Sequence, residues 1–252
     1  MRPYLVSSLV LASLSFLSLC ARADAVQVAV ASNFTAPMRL IAADFEKDSG
    51  HKVTLSFGTV GKFYAQMKNG APFEVLVSAD KETPDRLVAE GLALGATQHT
   101  YAIGKLVLWS AQPGYVNDNG DVLKKGDFRH LAMANPKLAV YGAAAQETLK
   151  RLGLLDALQA RLVVAENITQ AYQFVATGNA ALGFVALSQV VGKQGGIDRG
   201  SAWMVPPELY PPIRQDAVVL APGKDKAAAL ALVNYLKGSK AKAVIRSFGY
   251  DL

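Results

Sequence analysis

Four times along this chain a short apolar run passes straight into a helical pattern through a turn of small, polar or glycine residues. That recurrence constrains the fold more than any other feature, because strands that alternate with helices build parallel sheets covered by helices. The first instance is Val28-Ala-Val-Ala-Ser-Asn-Phe-Thr-Ala-Pro-Met38. Residues 26–31 read as a buried strand; Pro37 suits a first helical turn, and Met38, Ile41, Ala42 and Phe45 recur at helical spacing until Gly50. Ser32 and Asn33 therefore fall where strand becomes helix.

The second junction is Gly58-Thr59-Val60-Gly61, between a strand at 53–57 and a helix through Phe63 and Met67. The third is Tyr141-Gly142, read as following an extended run Leu138–Val140 and preceding a helix over 143–151. The fourth is Asn167-Ile168, between Val163-Val164 and a helix over 169–176 that Gly178 ends. Further strands read at 75–78, 106–109 and 181–185, and further helices at 83–90 and 226–237. The segment 111–127 has the composition of a surface loop, and the prolines at 206–212 mark a rigid connection. The fold class is α/β with mainly parallel sheets.

A helix start leaves backbone N–H groups without partners and carries about half a positive charge. Any one such turn is accounted for by an ordinary N-cap. Four together, at the C-terminal ends of strands in open sheets, can offset roughly the charge of a dianion. No Lys or Arg stands at a turn itself; Lys62 adjoins one but is expected to point outward from its helix. Asp80 reads as a helix cap, since a carboxylate would repel an anion.

The remaining sequence narrows the function classes. Residues 1–23 carry a basic start, an apolar core from Leu5 to Leu19 and small residues at Ala21 and Ala23, the pattern of a cleavable secretory signal peptide. Leu19 before Cys20 argues against a lipoprotein box, and the exported part, 24–252, holds no cysteine. The whole chain has 26 basic against 20 acidic side chains, and losing Arg2 and Arg22 lowers the excess from +6 to +4. That mild charge, with no basic run interleaved with aromatics, speaks against nucleic acid as a partner. His51, His99 and His130 lie far apart without metal-ligand spacing, and no G-x-S-x-G, P-loop or H-E-x-x-H is present. Neither a catalytic residue nor a cofactor or metal is expected.

The segments Ala29-Val-Ala-Ser-Asn-Phe, Ser56-Phe-Gly-Thr-Val-Gly-Lys-Phe-Tyr-Ala-Gln66, Gly70-Ala-Pro-Phe-Glu-Val-Leu-Val-Ser-Ala-Asp80, Ala134-Asn-Pro-Lys-Leu-Ala-Val-Tyr-Gly142 and Glu166-Asn-Ile-Thr-Gln-Ala-Tyr172 resemble, in order, those of periplasmic molybdate-binding proteins. These are the substrate-binding components of molybdate ABC importers. The resemblance implies a two-lobed, type II-like binding-protein fold, each lobe a mainly parallel sheet, with lobes at 24–103 plus 206–252 and at 104–205 hinged near 104 and 205. It implies a monomer in the periplasm, with molybdate or tungstate in the cleft and a membrane permease as partner. By motif, Ser32 and Asn33 match the first turn's donors, Tyr141 supplies a backbone N–H and a phenol, and Ile168 a backbone N–H. In the other branch of the family the ligand tyrosine follows the Gly-Phe-Val strand, where this chain has Ala186. Val60 stands where the family usually has Ser or Thr, so its N–H is kept and a hydroxyl is lost, with Thr59 as a substitute. On this reading Val60→Thr should tighten binding. Two other classes share these features: a binding protein of this fold for sulfate, phosphate or an organic anion, and an exported enzyme. The absence of a base or nucleophile at the turns disfavours the enzyme, and the absence of a carboxylate acceptor disfavours protonated phosphate.

Overall fold

The computed structural model describes residues 24–192 and 195–252; the expected signal peptide at 1–23 lies outside them. The described chain contains ten strands: β1 Ala25–Ala31, β2 Lys52–Gly58, β3 Val75–Val77, β4 His99–Gly104, β5 Leu106–Ser110, β6 Leu131–Ala134, β7 Leu162–Ala165, β8 Leu182–Ala186, β9 Ser201–Met204 and β10 Ile213–Val219. Its helices are α1 Thr35–Ser49, α2 Val60–Lys68, α3 Glu82–Ala89, α4 Val122–Lys125, α5 Val140–Arg151, α6 Leu155–Leu158, α7 Ile168–Ala176, α8 Ala227–Tyr235 and α9 Ser239–Ser247. The strands form two five-stranded sheets, ordered β2-β1-β3-β10-β4 and β7-β6-β8-β5-β9. In each, one strand alone runs against the other four: β10 in the first and β5 in the second. These two reversed strands begin immediately after the chain crosses between sheets. One crossing is the single residue Lys105, between β4 and β5; the other is the proline-rich stretch 205–212, between β9 and β10.

Each sheet is buried on both faces, which is why its strands read as continuous apolar runs. Along β1, Val26, Val28 and Val30 pack with Met38, Ile41, Phe45, Leu232 and Ile245 on one face. Ala29 packs with Phe63, Leu76 and Leu87 on the other. The second sheet is covered likewise, by Tyr141, Ala145 and Leu149 of α5 among others. Phe34, fully buried, meets Tyr101 and Tyr250 edge-on at centroid distances of 4.8 and 5.5 Å, which anchors the turn that follows β1. Truncating such a side chain to alanine costs about 3–5 kcal/mol.

The third junction differs from its sequence reading. The strand before α5 is β6, and Leu138–Val140 is not extended chain in a sheet. Asn135 and Pro136 open a turn in which the Asn135 carbonyl accepts from the N–H of Leu138 (3.2 Å) and Ala139 (2.9 Å), and Asn135 Oδ1 from that of Lys137 (2.9 Å). The apolar run thus lies along the interlobe cleft, and Tyr141 is the second residue of α5. The strands β4, β9 and β10 and the helix α9 carried no pattern strong enough to be read from sequence.

Candidate functional site

All six residues singled out in the sequence line one small cavity between the lobes, with Ala31, Gly58, Ala79, Ala139 and Val140 completing the wall. Its volume is about 10 Å³. Pockets for organic ligands run to roughly 300–1,000 Å³, so this space is far too small for one. Wider clefts of about 350 and 340 Å³ flank it, lined by Glu82 and Lys150 on one side and by Arg86 and Lys137 on the other. Among the cavity's lining residues there is neither a cation nor a carboxylate.

Four helix starts converge here. After β1, Ser32 and Asn33 sit in a single 3-10 turn that leads into α1; Ala31 rather than Ser32 holds the N-cap position. Ser32 is buried, yet its hydroxyl has no hydrogen-bond partner among the described residues, while its carbonyl accepts from Thr35 and from Thr169 of the opposite lobe (2.8 and 3.2 Å). Thr59 caps α2, its hydroxyl accepting from the Lys62 N–H at 3.4 Å. That bond uses Thr59 Oγ1 as an acceptor and leaves its proton free for the part read from sequence, substitution for the hydroxyl missing at 60. The Gly61 N–H donates to the Leu138 carbonyl at 3.2 Å, leaving the Val60 N–H as the first-turn donor of α2 without a protein acceptor. The N–H groups of Asn33, Tyr141 and Ile168 are likewise without protein acceptors among the described residues.

Two side chains behave otherwise than their motifs suggest. Both hydrogens of the Asn33 side-chain amide are taken, by Gln215 Oε1 and the Tyr250 hydroxyl at 3.0 Å each, so its free donor is the backbone N–H. The side chain of Val60 packs with Ala31, Ala79 and, across the cleft, Val140. Lys62 points outward as expected, and there pairs with Glu166 of the other lobe at 2.6 Å. Asp80 is a cap: its oxygens accept from the Thr83 N–H and hydroxyl, each at 3.1 Å, and from Ser78 at 2.8 Å. Burial pushes its carboxyl above the usual range.

Behind the cavity lies a buried polar cluster that sequence reasoning missed. The Tyr141 hydroxyl accepts from Gln215 Nε2 at 3.2 Å. Gln215 Oε1 also faces the Tyr101 hydroxyl (3.0 Å), which reaches the Ser78 carbonyl (2.9 Å). The Tyr250 hydroxyl lies 3.0 Å from the Asn33 carbonyl and 3.0 Å from Ser188 Oγ, whose own proton goes to the Asn33 carbonyl. Burial holds the Tyr101 and Tyr141 phenols well above their ordinary value and pushes Tyr250 up to about 12. Gly104, the last residue of β4, admits this cluster: a Cβ there would overlap the Tyr141 hydroxyl and the Gln215 amide. The one sequence signal was Gln215-Asp216 inside the otherwise largely apolar β10, and it acquires meaning only once β10 is seen beside the crossing.

A family model described as bacterial extracellular solute-binding protein matches residues 26–251. The chain is 61% identical over 236 residues to the molybdate-binding protein ModA of Azotobacter vinelandii, covering 94% of this chain and 93% of that one. It is 52% identical over 234 residues to the protein of that name from Rhodobacter capsulatus, covering 93% and 91%. Its structure matches that of the periplasmic molybdate-binding protein of A. vinelandii with a TM-score of 0.87 at 44% identity, over 90% of this chain and 99% of the other. With its two-lobed fold and interlobe cavity, the chain belongs to the bacterial extracellular solute-binding proteins and stands among the periplasmic molybdate-binding proteins.

Proposed function

We propose that this protein captures molybdate, or tungstate, in the periplasm and delivers it to the membrane permease of an ABC importer. The observation that carries this reading is the convergence of four helix starts on a cavity of about 10 Å³ that holds no formal charge. A tetrahedral dianion there receives N–H donors from Asn33, Val60, Tyr141 and Ile168 and hydroxyls from Ser32 and Tyr141. Four helix ends together offset roughly two negative charges. Since no carboxylate lines the cavity, an anion that keeps a proton finds no carboxylate to accept it. The protein acts as a monomeric carrier after its signal peptide is removed, and not as an enzyme. Its lobes, 24–103 with 206–252 and 104–205, close about hinges near 104 and 205, because only the closed form presents both lobes' donors at once.

A thermal-shift and calorimetric panel of molybdate, tungstate, sulfate and phosphate tests the reading. Molybdate and tungstate should bind one per chain, stabilising the fold by about 2.7 kcal/mol at one hundred times the dissociation constant. Sulfate or phosphate binding as tightly as molybdate would overturn it. Tyr141→Phe should cost roughly 1.5–3 kcal/mol of molybdate binding, the range for a hydrogen bond to a charged group.

A further inference from the structure

The turn that follows β1 is gripped from the opposite lobe. Its Ser32 carbonyl accepts from the Thr169 hydroxyl of α7 at 3.2 Å, and its Asn33 carbonyl from the Ser188 hydroxyl at 3.0 Å. Ser188 stands in the 3-10 turn Leu187–Gln189 that follows β8. Gln189 braces that turn against α7: its Oε1 accepts from the Ala186 N–H at 3.0 Å, and its Nε2 donates to the Ile168 carbonyl at 3.2 Å. Thr169 and Ser188 therefore reach the first turn as one unit, and neither lines the cavity. The Ser32 carbonyl and the Asn33 N–H are the two ends of one peptide group. That N–H has no protein acceptor among the described residues, and Asn33 lines the cavity. A donor placed on the carbonyl end of a peptide polarises its N–H and makes it the stronger donor. The Thr35 hydroxyl reaches the same carbonyl at 2.8 Å, but from within its own lobe, so it is there whether the lobes are together or apart. Thr169 arrives only when they meet.

We infer that Thr169 and Ser188 are positioning residues that clamp the main chain of the first turn from the opposite lobe, so that closure itself completes the Asn33 N–H as an anion donor. The inference rests on the oxyanion-binding reading above and adds to it residues that govern retention of the anion without touching it. A hydroxyl in contact with the anion would feel which anion is bound. A clamp that acts on the protein alone changes the affinity for every anion that closes the lobes by one common factor.

The experiment compares wild type with Thr169→Val, Thr169→Ser and Ser188→Ala. It uses calorimetry with molybdate and with tungstate, release of radiolabelled molybdate into excess unlabelled molybdate, and melting of the ligand-free protein. Thr169→Val keeps the shape of the side chain and removes its hydroxyl. It should weaken both anions by the same factor, roughly threefold to tenfold, the effect of one hydrogen bond. The loss should appear as faster release, with association unchanged. Thr169→Ser keeps the hydroxyl and should bind as wild type does. Ser188→Ala should behave like Thr169→Val, and it carries the test even if Thr169→Val does not fold. Most of each main core lies within one lobe, so the ligand-free melting temperature should stay at the wild-type value. Unequal losses for molybdate and tungstate, unchanged release, a fall in ligand-free melting temperature that tracks the lost affinity, or a serine variant as weak as the valine one would overturn the inference while leaving molybdate binding by the wild type intact. A wild-type protein that binds neither anion would overturn both readings.

Discussion

The two sides of the cavity are built differently. On the hinge side Asn33, Gln215, Tyr101, Tyr141, Tyr250 and Ser188 are all buried and hydrogen-bonded among themselves. On the rim side the lobes meet through one main-chain bond from Gly61 to Leu138, an ion pair of Lys62 with Glu166 whose partners are each about half exposed, and the apolar contact of Val60 with Val140. Leaving a buried polar group unpaired costs about 1–3 kcal/mol, whereas an exposed ion pair contributes about 0–1 kcal/mol. The hinge side is therefore suited to fix donor geometry. On the proposed hinge closure the rim parts and re-forms with every ligand, and its weak contacts suit that task.

The most direct way to break the comparison is Gly104→Ala. Its Cβ overlaps Tyr141 and Gln215, so the hinge cluster must come apart. A loss of more than about a hundredfold in molybdate affinity is expected, as two or more hydrogen bonds that orient the site are disturbed, and the melting temperature should fall as well. Retained affinity measured by calorimetry would show that the cluster does not set the site. Val60→Thr probes the opposite side. The packing of the Val60 side chain with Ala31, Ala79 and Val140 leads us to expect the opposite of the gain expected from sequence. Binding should weaken by roughly threefold to tenfold, in line with about 1 kcal/mol for a poorly placed buried hydroxyl. A gain would mean that this part of the rim belongs to the anion's own shell.

Smaller effects separate the sides further. Lys62→Met should lower affinity by no more than about fivefold, and the difference should vanish near 1 M salt, where screening acts within about 3 Å. A titration at two ionic strengths checks this. For pH the expected change in affinity is none. Burial raises the pKa of the folded-state phenols, so Tyr141 keeps its proton through the ordinary tyrosine value near 10. Molybdate affinity should be flat from about pH 7 to 9.5. Fold stability is a separate matter: a folded-state value raised above the unfolded one contributes fully below about pH 10 and is lost as pH rises toward the 12 of Tyr250. Melting curves between these limits test it.

What could be read from sequence follows the same division. The rim and the turns that line the cavity are local: a strand, a turn and a helix start are contiguous, so the junctions that hold Ser32, Thr59 and Ile168 are legible from the local pattern, while the roles of these residues came from the resemblance. The side chains of the hinge cluster come from segments separated by as many as 217 residues, as with Asn33 and Tyr250, and no local pattern ties a glutamine in β10 to a phenol in α5. Helix α5 was misplaced by three residues because an apolar run can be strand or cleft wall; the Asn135-Pro136 turn decides which. Which donor Asn33 offers is hidden from the sequence for a related reason. An amide can serve a ligand or the protein, and only the positions of Gln215 and Tyr250 show that it serves the protein.

The main-chain bond from Gly61 to Leu138 has a kinetic consequence. It ties α2 to the opposite lobe beside the cavity, and on the proposed reading an ion held by donors of both lobes loses one set of them when the lobes part. The residence time of the anion is then governed by how often the lobes separate, and not by how fast donors let go of oxygen. A permease that pulls the lobes apart can therefore speed unloading many times over without touching the anion or any group that holds it.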